Sequence, residues 1–377
     1  MSAFTAGQRR SVWTLALLST AGYGALYYAQ PLLAVAFEHL HGWTRAQTGL
    51  AFTLALLTTA LLAPTVGRAL DIGNGRRWLC LGAWLGSGAF LLLALTSSYP
   101  LFVLGWLLAG VAMSLTFYEA VFTVLGQQVA GPQRARATLT VTLVAGLAST
   151  VFVPLTAALL QGGGLKAALL GLAALLVLAG GLVWRTVPFA PFRLASRSRV
   201  SFTPDNLFVR LALALTLARV VTVGVGLQLV PLLLSAGYTA GVAALLTGLM
   251  GLAALPGRAI FVPLLGRFGA PLLTRWLLTQ LGVGAFLLHF PRSLPLAVSG
   301  IVLFGAANGA LTLARSELLS QAYPPEQFGT VNGLLAWPVN LAQALTPLGM
   351  GLLFTLTGGY GWSFSLLMVL VGVGMLV

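Results

Sequence analysis

The chain has 377 residues, of which 58% are hydrophobic and only 7% are charged, and its mean hydropathy is +0.96. Soluble domains carry about 25% charged residues, so this composition excludes a soluble protein and predicts an integral membrane protein. The formal net charge of +14 comes mostly from arginines in short segments between apolar runs. This pattern is typical of membrane topology, and we therefore expect no nucleic-acid partner.

A spanning helix needs about 20 mostly apolar residues. Apolar runs of that length, separated by charges, prolines or glycine-rich turns, predict an all-α integral membrane fold with twelve transmembrane helices. The first run is too long for a signal-peptide core and has no evident cleavage site, so we expect it to remain as a span. The predicted spans are residues 12–37, 46–70, 77–97, 100–129, 135–161, 165–185, 206–234, 241–266, 271–290, 294–321, 328–357 and 360–377.

The basic residues between the spans predict the orientation of the chain. With the N-terminus inside, fourteen arginines fall in inner segments and three basic residues in outer loops. The positive-inside rule then places both termini in the cytoplasm, with the chain in the cytoplasmic (inner) membrane. The inner residues are Arg9, Arg10, Arg68, Arg76, Arg77, Arg134, Arg136, Arg185, Arg193, Arg197, Arg199, Arg210, Arg267 and Arg275, and the outer ones are Arg45, Lys166 and Arg292.

The longest polar stretch, "RTVPFAPFRLASRSRVSFTPDN", divides the spans six and six. We interpret it as a cytoplasmic linker over 186–205, between an N-terminal half at 1–185 and a C-terminal half at 206–377. The halves are weakly alike, since "AQPLL" in span one and "LVPLLLS" in span seven lie 200 residues apart. Two six-span repeats around a central site are one way in which transporters are built.

The loop "GRALDIGNGRR" between spans two and three resembles the signature G-x-x-x-D-R-x-G-R-R of the major facilitator superfamily. The matching residues are Gly67, Asp71, Arg76 and Arg77, while Ile72 replaces the usual arginine and "GNG" adds one residue. The resemblance implies two pseudo-symmetric six-helix halves and a cytoplasmic gating loop formed by these four residues. The alternative is that the loop carries only topogenic positive charge.

Two further segments give a narrower resemblance. "GYGALYYAQPLL" in span one and "LPGRAIFVPLLGRFG" in span eight are similar to monocarboxylate and oxalate–formate carriers. In monocarboxylate carriers, span eight holds an aspartate four residues before an arginine, and both bind substrate and proton. Arg258 matches that arginine, but Ala254 stands in place of the aspartate, so the resemblance implies anion binding without that proton site.

Five charged side chains lie well inside predicted spans, away from the span ends, where each costs about 2.5–3.5 kcal/mol at a helix centre and by default marks a functional pathway. In the resembled family, spans one, four, seven and ten line the central cavity. Glu119 then either exchanges a proton while an arginine binds an anion, or forms a salt bridge with Arg315 or Arg219 that holds one conformation. Arg258 has the further alternative of reaching the membrane interface. The five residues are Glu119 in span four, Arg219 in seven, Arg258 in eight, and Arg315 and Glu317 in ten.

Polar side chains in span one complete the candidate site. Tyr23, Tyr27 and Gln30 follow an i, i+4, i+7 spacing, which places them on one face of an α-helix. They either line the cavity and contact substrate or, for the tyrosines, belong to an aromatic belt.

The sequence contains no catalytic or nucleotide-binding motif, and Cys80 is the only cysteine. We expect no enzyme activity, cofactor or metal, and a monomer in the lipid bilayer. The predicted function is secondary active transport of a small organic solute, coupled to protons or running as exchange. Three intramembrane arginines against two glutamates favour an organic anion. The alternative is a proton-coupled efflux pump for hydrophobic or cationic compounds, with Glu119 as the cation and proton site.

Overall fold

A computed structural model of the chain describes residues 4–129, 132–188, 202–357, 365–370 and 372. The regular structure of these ranges is helical, because apolar segments in a bilayer must satisfy their backbone hydrogen bonds internally. A π-helix, Tyr23–Tyr28, joins α1 to α2, and a 3₁₀ turn, Pro325–Gln327, precedes α13. The α-helices are α1 Ala6–Gly22, α2 Gln30–His41, α3 Arg45–Ile72, α4 Gly75–Leu95, α5 Tyr99–Thr116, α6 Tyr118–Gln128, α7 Pro132–Ala145, α8 Ala148–Thr186, α9 Asn206–Ser235, α10 Ala240–Phe268, α11 Ala270–Leu287, α12 Leu294–Ala322 and α13 Phe328–Thr357.

The predicted all-α membrane fold is confirmed. Each of the first eleven predicted spans coincides with one helix or with consecutive helices. The twelfth lies mostly outside the described residues, of which 365–370 are helical. Most of the predicted linker also lies outside them, at 189–201. Within the described ranges, seven segments are long and apolar enough to cross a membrane: Gln47–Ile72, Gly75–Leu95, Tyr99–Gln128, Gln133–Thr186, Asn206–Ser235, Leu245–Phe268 and Leu294–Ala322.

Several predicted spans of the first half are interrupted rather than continuous. Phe117 has extended backbone angles (φ −79°, ψ 178°) and separates α5 from α6. Predicted span five is interrupted at Gly146 and Leu147, between α7 and α8, whereas Gly164, with a φ of 70° in α8, lies between predicted spans five and six. Non-helical backbone at membrane depth is tolerated where it is buried in protein or lines a cavity. Hydrophobic length alone carries no signal for such breaks.

The described residues group into two compact units. The first contains the described part of Met1–Phe202 together with Tyr323–Trp337, and the second contains Thr203–Ala322 with the described part of Pro338–Val377. In the first unit, α4 packs on α5 and α8, α3 packs on α5, and α1 packs on α7 and α8. In the second, α12 packs on α10 and α11. The first part of α13 therefore belongs with the N-terminal helices, and the predicted halves stay a prediction.

The contact between α10 and α12 depends on glycines. Gly305 and Gly309 lie one turn apart on α12 and meet the main chain of Met250 and Ala254, also one turn apart on α10. A Cβ atom at either glycine would overlap the facing carbonyl oxygen. Small residues at this spacing let two membrane helices approach closely. The two helices that carry Arg258 and Arg315 are therefore held as one pair.

Candidate functional site

The π-helix of span one and the break in span four meet in the first unit. The ring of Tyr23 stacks on that of Phe117, with centroids 3.9 Å apart and planes inclined by 13°. It also lies 4.7 Å from the ring of Tyr118, which stacks on Phe122 at 5.1 Å. We call these four residues the aromatic cluster. The cluster connects the π-helix of span one with the break at Phe117 in span four, so these two irregular segments pack directly against each other.

The other two polar residues of span one have different surroundings. The ring of Tyr27 lies 5.7 Å from that of Phe52 in α3 and 5.3 Å from that of Tyr28. Tyr23 and Tyr27 thus pack against different helices. The segment winds as a π-helix, whereas the one-face prediction assumed an α-helix. Gln30 is half-buried at the start of α2. A substrate-lining role for these three residues stays a prediction.

Glu119 lies in the first turn of α6, directly after the break at Phe117. This position favours a carboxylate, because the N-terminus of a helix carries partial positive charge. The main-chain carbonyl of Glu119 accepts hydrogen bonds from Thr123 Oγ1 at 2.8 Å and from Asn332 Nδ2 at 3.3 Å. Asn332, in α13, is only 3% exposed. The structure therefore brings Glu119 together with the aromatic cluster and with a buried amide that the sequence prediction missed.

The predicted intramembrane arginines all lie in the second unit and are half-buried. The Nε atom of Arg219 is buried and has no hydrogen-bond partner among the described residues. Glu317 accepts a hydrogen bond from Gln321 on its own helix at 2.8 Å. Because Glu119 belongs to the first unit, its pairing with an arginine stays a prediction. The three arginines are Arg219 in α9, Arg258 in α10 and Arg315 in α12.

The predicted gating loop makes a specific contact within the first unit. One carboxylate oxygen of Asp71 accepts a hydrogen bond from the Gly329 N–H at 2.8 Å. The other accepts from the N–H of Thr330 at 2.5 Å and from its hydroxyl at 2.7 Å. We call this three-bond contact the Asp71 clasp. It satisfies N–H groups that every helix leaves unpaired at its start, here the start of α13.

Gly67 lies one turn before Asp71 and faces the same part of α13. A Cβ atom at Gly67 would overlap the carbonyl oxygen of Gly329 and approach Gly333. The main chains of α3 and α13 are therefore in direct contact beside the Asp71 clasp. The predicted motif identified Asp71 and Gly67 but gave no partner for them. The small residues of "FGTVNG" at the start of α13 are the signal that such a close approach requires.

The two motif arginines contact other parts of the first unit. The guanidinium of Arg76 lies 4.6 Å from the ring centroid of Trp184, and its Nη1 donates to the Trp184 carbonyl at 3.4 Å. Arg76 therefore anchors the start of α4 on the end of α8. Arg77 is exposed. A gating role for either arginine stays a prediction.

Arg134 forms a second contact with the start of α13. Its side chain is only 9% exposed, and its guanidinium lies 4.0 Å from the ring centroid of Phe328. Gly126 leaves room for it, since a Cβ atom there would lie 2.8 Å from the guanidinium carbon. Counting inner charges did not distinguish Arg134 from its exposed neighbour Arg136.

Comparison with known proteins agrees with this architecture. A family model described as Major Facilitator Superfamily matches residues 12–270. No curated protein matches the chain in sequence.

Solved structures share the fold at low identity. The human organic anion transporter MFSD10 (TETRAN) is 18% identical, with a TM-score of 0.82 over 98% of this chain and 99% of that chain. A bacterial homologue of the iron transporter ferroportin, in an outward-facing state with soaked iron, is 18% identical, with a TM-score of 0.78 over 98% and 97% of the two chains. The proton:xylose symporter XylE is 14% identical, with a TM-score of 0.74 over 98% and 95%. These three proteins differ in what they carry, so the fold alone does not identify a substrate.

Proposed function

The chain belongs to the major facilitator superfamily, and on that premise we propose that this transporter moves a small organic anion by secondary active transport. It does so by alternating access across the cytoplasmic membrane, with both termini in the cytoplasm. Transport is coupled to protons or runs as exchange of one anion for another.

The observation that carries the proposal is the charge within the second unit. Arg219, Arg258 and Arg315 lie deep in its predicted spans, where Glu317 is the only acid. A buried donor without a partner costs about 1–3 kcal/mol, and the Nε of Arg219 is such a donor among the described residues. A carboxylate or similar anion would satisfy it with a charge-assisted hydrogen bond.

Glu119 supplies the proton in this proposal. An arriving anion competes for the arginine with which Glu119 pairs in this proposal, and Glu119 carries the proton that moves with the anion. The alternative is that Glu119 only holds one conformation through a salt bridge. The location of Glu119 at a break in span four, beside the aromatic cluster, supports a role in coupling, because broken helices commonly form the sites of transporters.

The Asp71 clasp serves as the cytoplasmic gate in this proposal. Helix α13 is continuous over Phe328–Thr357, yet its start belongs to the first unit and its remainder to the second. Breaking the clasp would release the start of α13 from α3. Alternating access requires such a contact to be broken once in every transport cycle.

The proposed substrate class is tested with purified protein in proteoliposomes. Counterflow of a labelled carboxylate, chosen by a thermal-shift screen of mono- and dicarboxylates, should be lost in Arg219→Gln. The matched control is Arg275→Gln, because Arg275 is an exposed arginine of the same unit and its loss should leave counterflow unchanged. Equal counterflow in the two variants would show that Arg219 binds no anion.

Proton coupling is tested separately with Glu119→Gln. This variant should lose uptake driven by a proton gradient but keep exchange, since the neutral amide cannot deliver a proton. Full proton-driven uptake in this variant would rule out Glu119 as the coupling residue. Loss of exchange as well would favour the salt-bridge alternative.

Efflux of a hydrophobic or cationic compound is the second candidate. The aromatic cluster beside Glu119 favours it, because aromatic faces attract cations and a carboxylate adds charge complementarity. Stabilisation by tetraphenylphosphonium that disappears in Glu119→Gln, with no stabilisation by any carboxylate, would select this function over anion transport.

A further inference from the structure

One threonine of the second unit has a hydroxyl that the fold does not use. A threonine hydroxyl inside a helix commonly donates to the carbonyl four residues earlier, as Thr247 does in α10 and Thr274 in α11, both at 2.8 Å. Among the described residues, Thr216 in α9 is the one threonine with a buried hydroxyl that has no hydrogen-bond partner. The hydroxyl of Thr216 is therefore available to bind another group.

Thr216 lies next to Arg219, which the proposed function already uses. The two residues are three apart in α9, so their side chains are neighbours on the helix surface, with Cβ atoms about 5–6 Å apart. The Nε atom of Arg219 is also buried, and it has no hydrogen-bond partner in the part of the chain that the structure describes. In that part of the chain, an O–H and an N–H group thus lie side by side on α9 without an acceptor.

The surroundings of these two donors favour an acceptor on a solute. Both residues lie more than two turns from either end of α9, at a depth where lipid tails offer no hydrogen-bond acceptor. The second unit contains two acids, and each is engaged elsewhere. Asp205 caps the start of α9, and Glu317 accepts a hydrogen bond on its own helix. The positive charge of Arg219 then calls for an anion.

We propose that Thr216 is a second substrate-binding residue, whose hydroxyl donates to the same anionic group that Arg219 binds. The Nε–H of Arg219 pairs with one oxygen of that group, and the hydroxyl of Thr216 pairs with another. The inference rests on the proposed function, which makes the solute an organic anion. It adds that the charged group is an oxyanion with at least two acceptor oxygens, such as a carboxylate or a sulfonate, because two neighbouring donors have to be satisfied.

Thermal unfolding of the ligand-free protein provides the first test. Thr216→Val replaces the hydroxyl by a methyl group of similar size, so it removes a buried polar group that lacks a partner, and we expect the midpoint to rise by about 1–3 °C. Thr247→Val is the matched control, because it removes a hydroxyl that is hydrogen-bonded, and its midpoint should stay equal or fall. A midpoint for Thr216→Val at or below that of Thr247→Val would show that the protein already satisfies the Thr216 hydroxyl, and would overturn the inference.

Anion binding to the full chain in detergent provides the second test. Acetate, benzoate and succinate are screened against the wild type by thermal shift, with sodium chloride at equal ionic strength as the blank, and the most stabilising of the three is titrated. Thr216→Val should lower its affinity by about tenfold or more, the usual effect of losing a hydrogen bond to a charged group. Thr216→Ser keeps the hydroxyl and should bind nearly as well as the wild type. Thr247→Val should leave the affinity unchanged, and Arg219→Gln should abolish binding.

The outcomes separate this inference from the proposed function. If Arg219→Gln lost binding while Thr216→Val bound like Thr247→Val, the proposed function would stand and the role of Thr216 would be wrong. If Thr216→Ser lost as much affinity as Thr216→Val, the shape of the side chain, and not its hydroxyl, would be responsible, which also overturns the inference. If Arg219→Gln bound like the wild type, or if none of the three carboxylates stabilised the wild type, the anion site itself would fail and the role of Thr216 with it.

Discussion

The loop between α3 and α4, taken with the helix ends that flank it (residues 67–77), and the loop between α10 and α11, taken in the same way (residues 262–272), occupy corresponding places in the two halves of the sequence. Each follows a long apolar helix, and each contains a glycine with positive φ, Gly73 at 120° and Gly269 at 75°. Each also carries arginine within a few residues of that glycine. By sequence spacing alone, they look like two copies of one element.

Their contacts are different. Asp71 of the first loop holds the start of α13 through three hydrogen bonds. At the corresponding position, 195 residues later, a Cβ built on Gly266 has no atom of the described residues within 4 Å. Arg267 instead lies 5.3 Å from the ring of Phe268, its neighbour in sequence. The acid, and not the pattern of glycine and arginine, therefore identifies the loop that contacts the start of α13.

Removing the carboxylate of Asp71 should reduce the difference between the two loops more than any other change. Asp71→Ala leaves the N–H groups of Gly329 and Thr330 without their acceptor, at about 1–3 kcal/mol for each. The start of α13 should then separate from α3 more often. Maleimide labelling of Val331→Cys in a Cys80→Ser background measures this, because Val331 is fully buried and Cys80 is the only cysteine. We expect the labelling rate to rise by about tenfold or more.

The control for this experiment comes from the other loop. Arg267→Gln changes the α10–α11 loop without touching the Asp71 clasp, so it should leave the labelling of Val331→Cys unchanged. If Asp71→Ala and Arg267→Gln gave the same labelling rate, the two loops would be equivalent and the clasp would not hold α13.

A glycine substitution should change stability in opposite directions in the two loops. Gly67→Ala forces a Cβ against the Gly329 carbonyl oxygen, and overpacking of this kind costs about 1–3 kcal/mol. Gly266→Ala meets no atom of the described part of the chain and lies within a helix, where alanine is favoured over glycine by about 1 kcal/mol. Thermal unfolding of the purified variants should therefore show a lower midpoint for the first and an equal or higher one for the second. An equal or higher midpoint for Gly67→Ala would mean that α3 and α13 do not touch in the protein as purified.

Sequence reasoning predicted an integral membrane protein and its helices, because composition and the length of apolar runs indicate both. It also predicted the residues of the first loop, because they match a specific motif. It did not predict the breaks at Tyr23–Tyr28 and Phe117, since both segments lie inside runs long and apolar enough to be predicted as single spans. A break depends on how neighbouring side chains pack, here the stacking of Tyr23 on Phe117. No local hydropathy pattern records such a contact.

The candidate site was predicted only in part for a related reason. Charges in apolar spans are conspicuous, so Glu119 and the three arginines could be found. The partners of the predicted residues, in contrast, are ordinary residues far away in sequence. Thr330, for example, bonds to Asp71 from 259 residues away. Arg134 was counted as one inner charge among fourteen, although it is buried over Phe328. Only the packing of α7 against the start of α13 distinguishes it.

Arg134 provides the smallest and most specific test of how the start of α13 is held. Arg134→Gln removes the cation from the face of Phe328, an interaction of about 0.5–2 kcal/mol, while Arg136→Gln removes the same charge at an exposed position two residues away. Labelling of Val331→Cys should rise by a few fold in the first variant and stay unchanged in the second. Because the Asp71 clasp remains in both, Arg134→Gln should release α13 less than Asp71→Ala does. An equal effect of the two arginine variants would mean that net charge, and not the contact with Phe328, holds the start of α13.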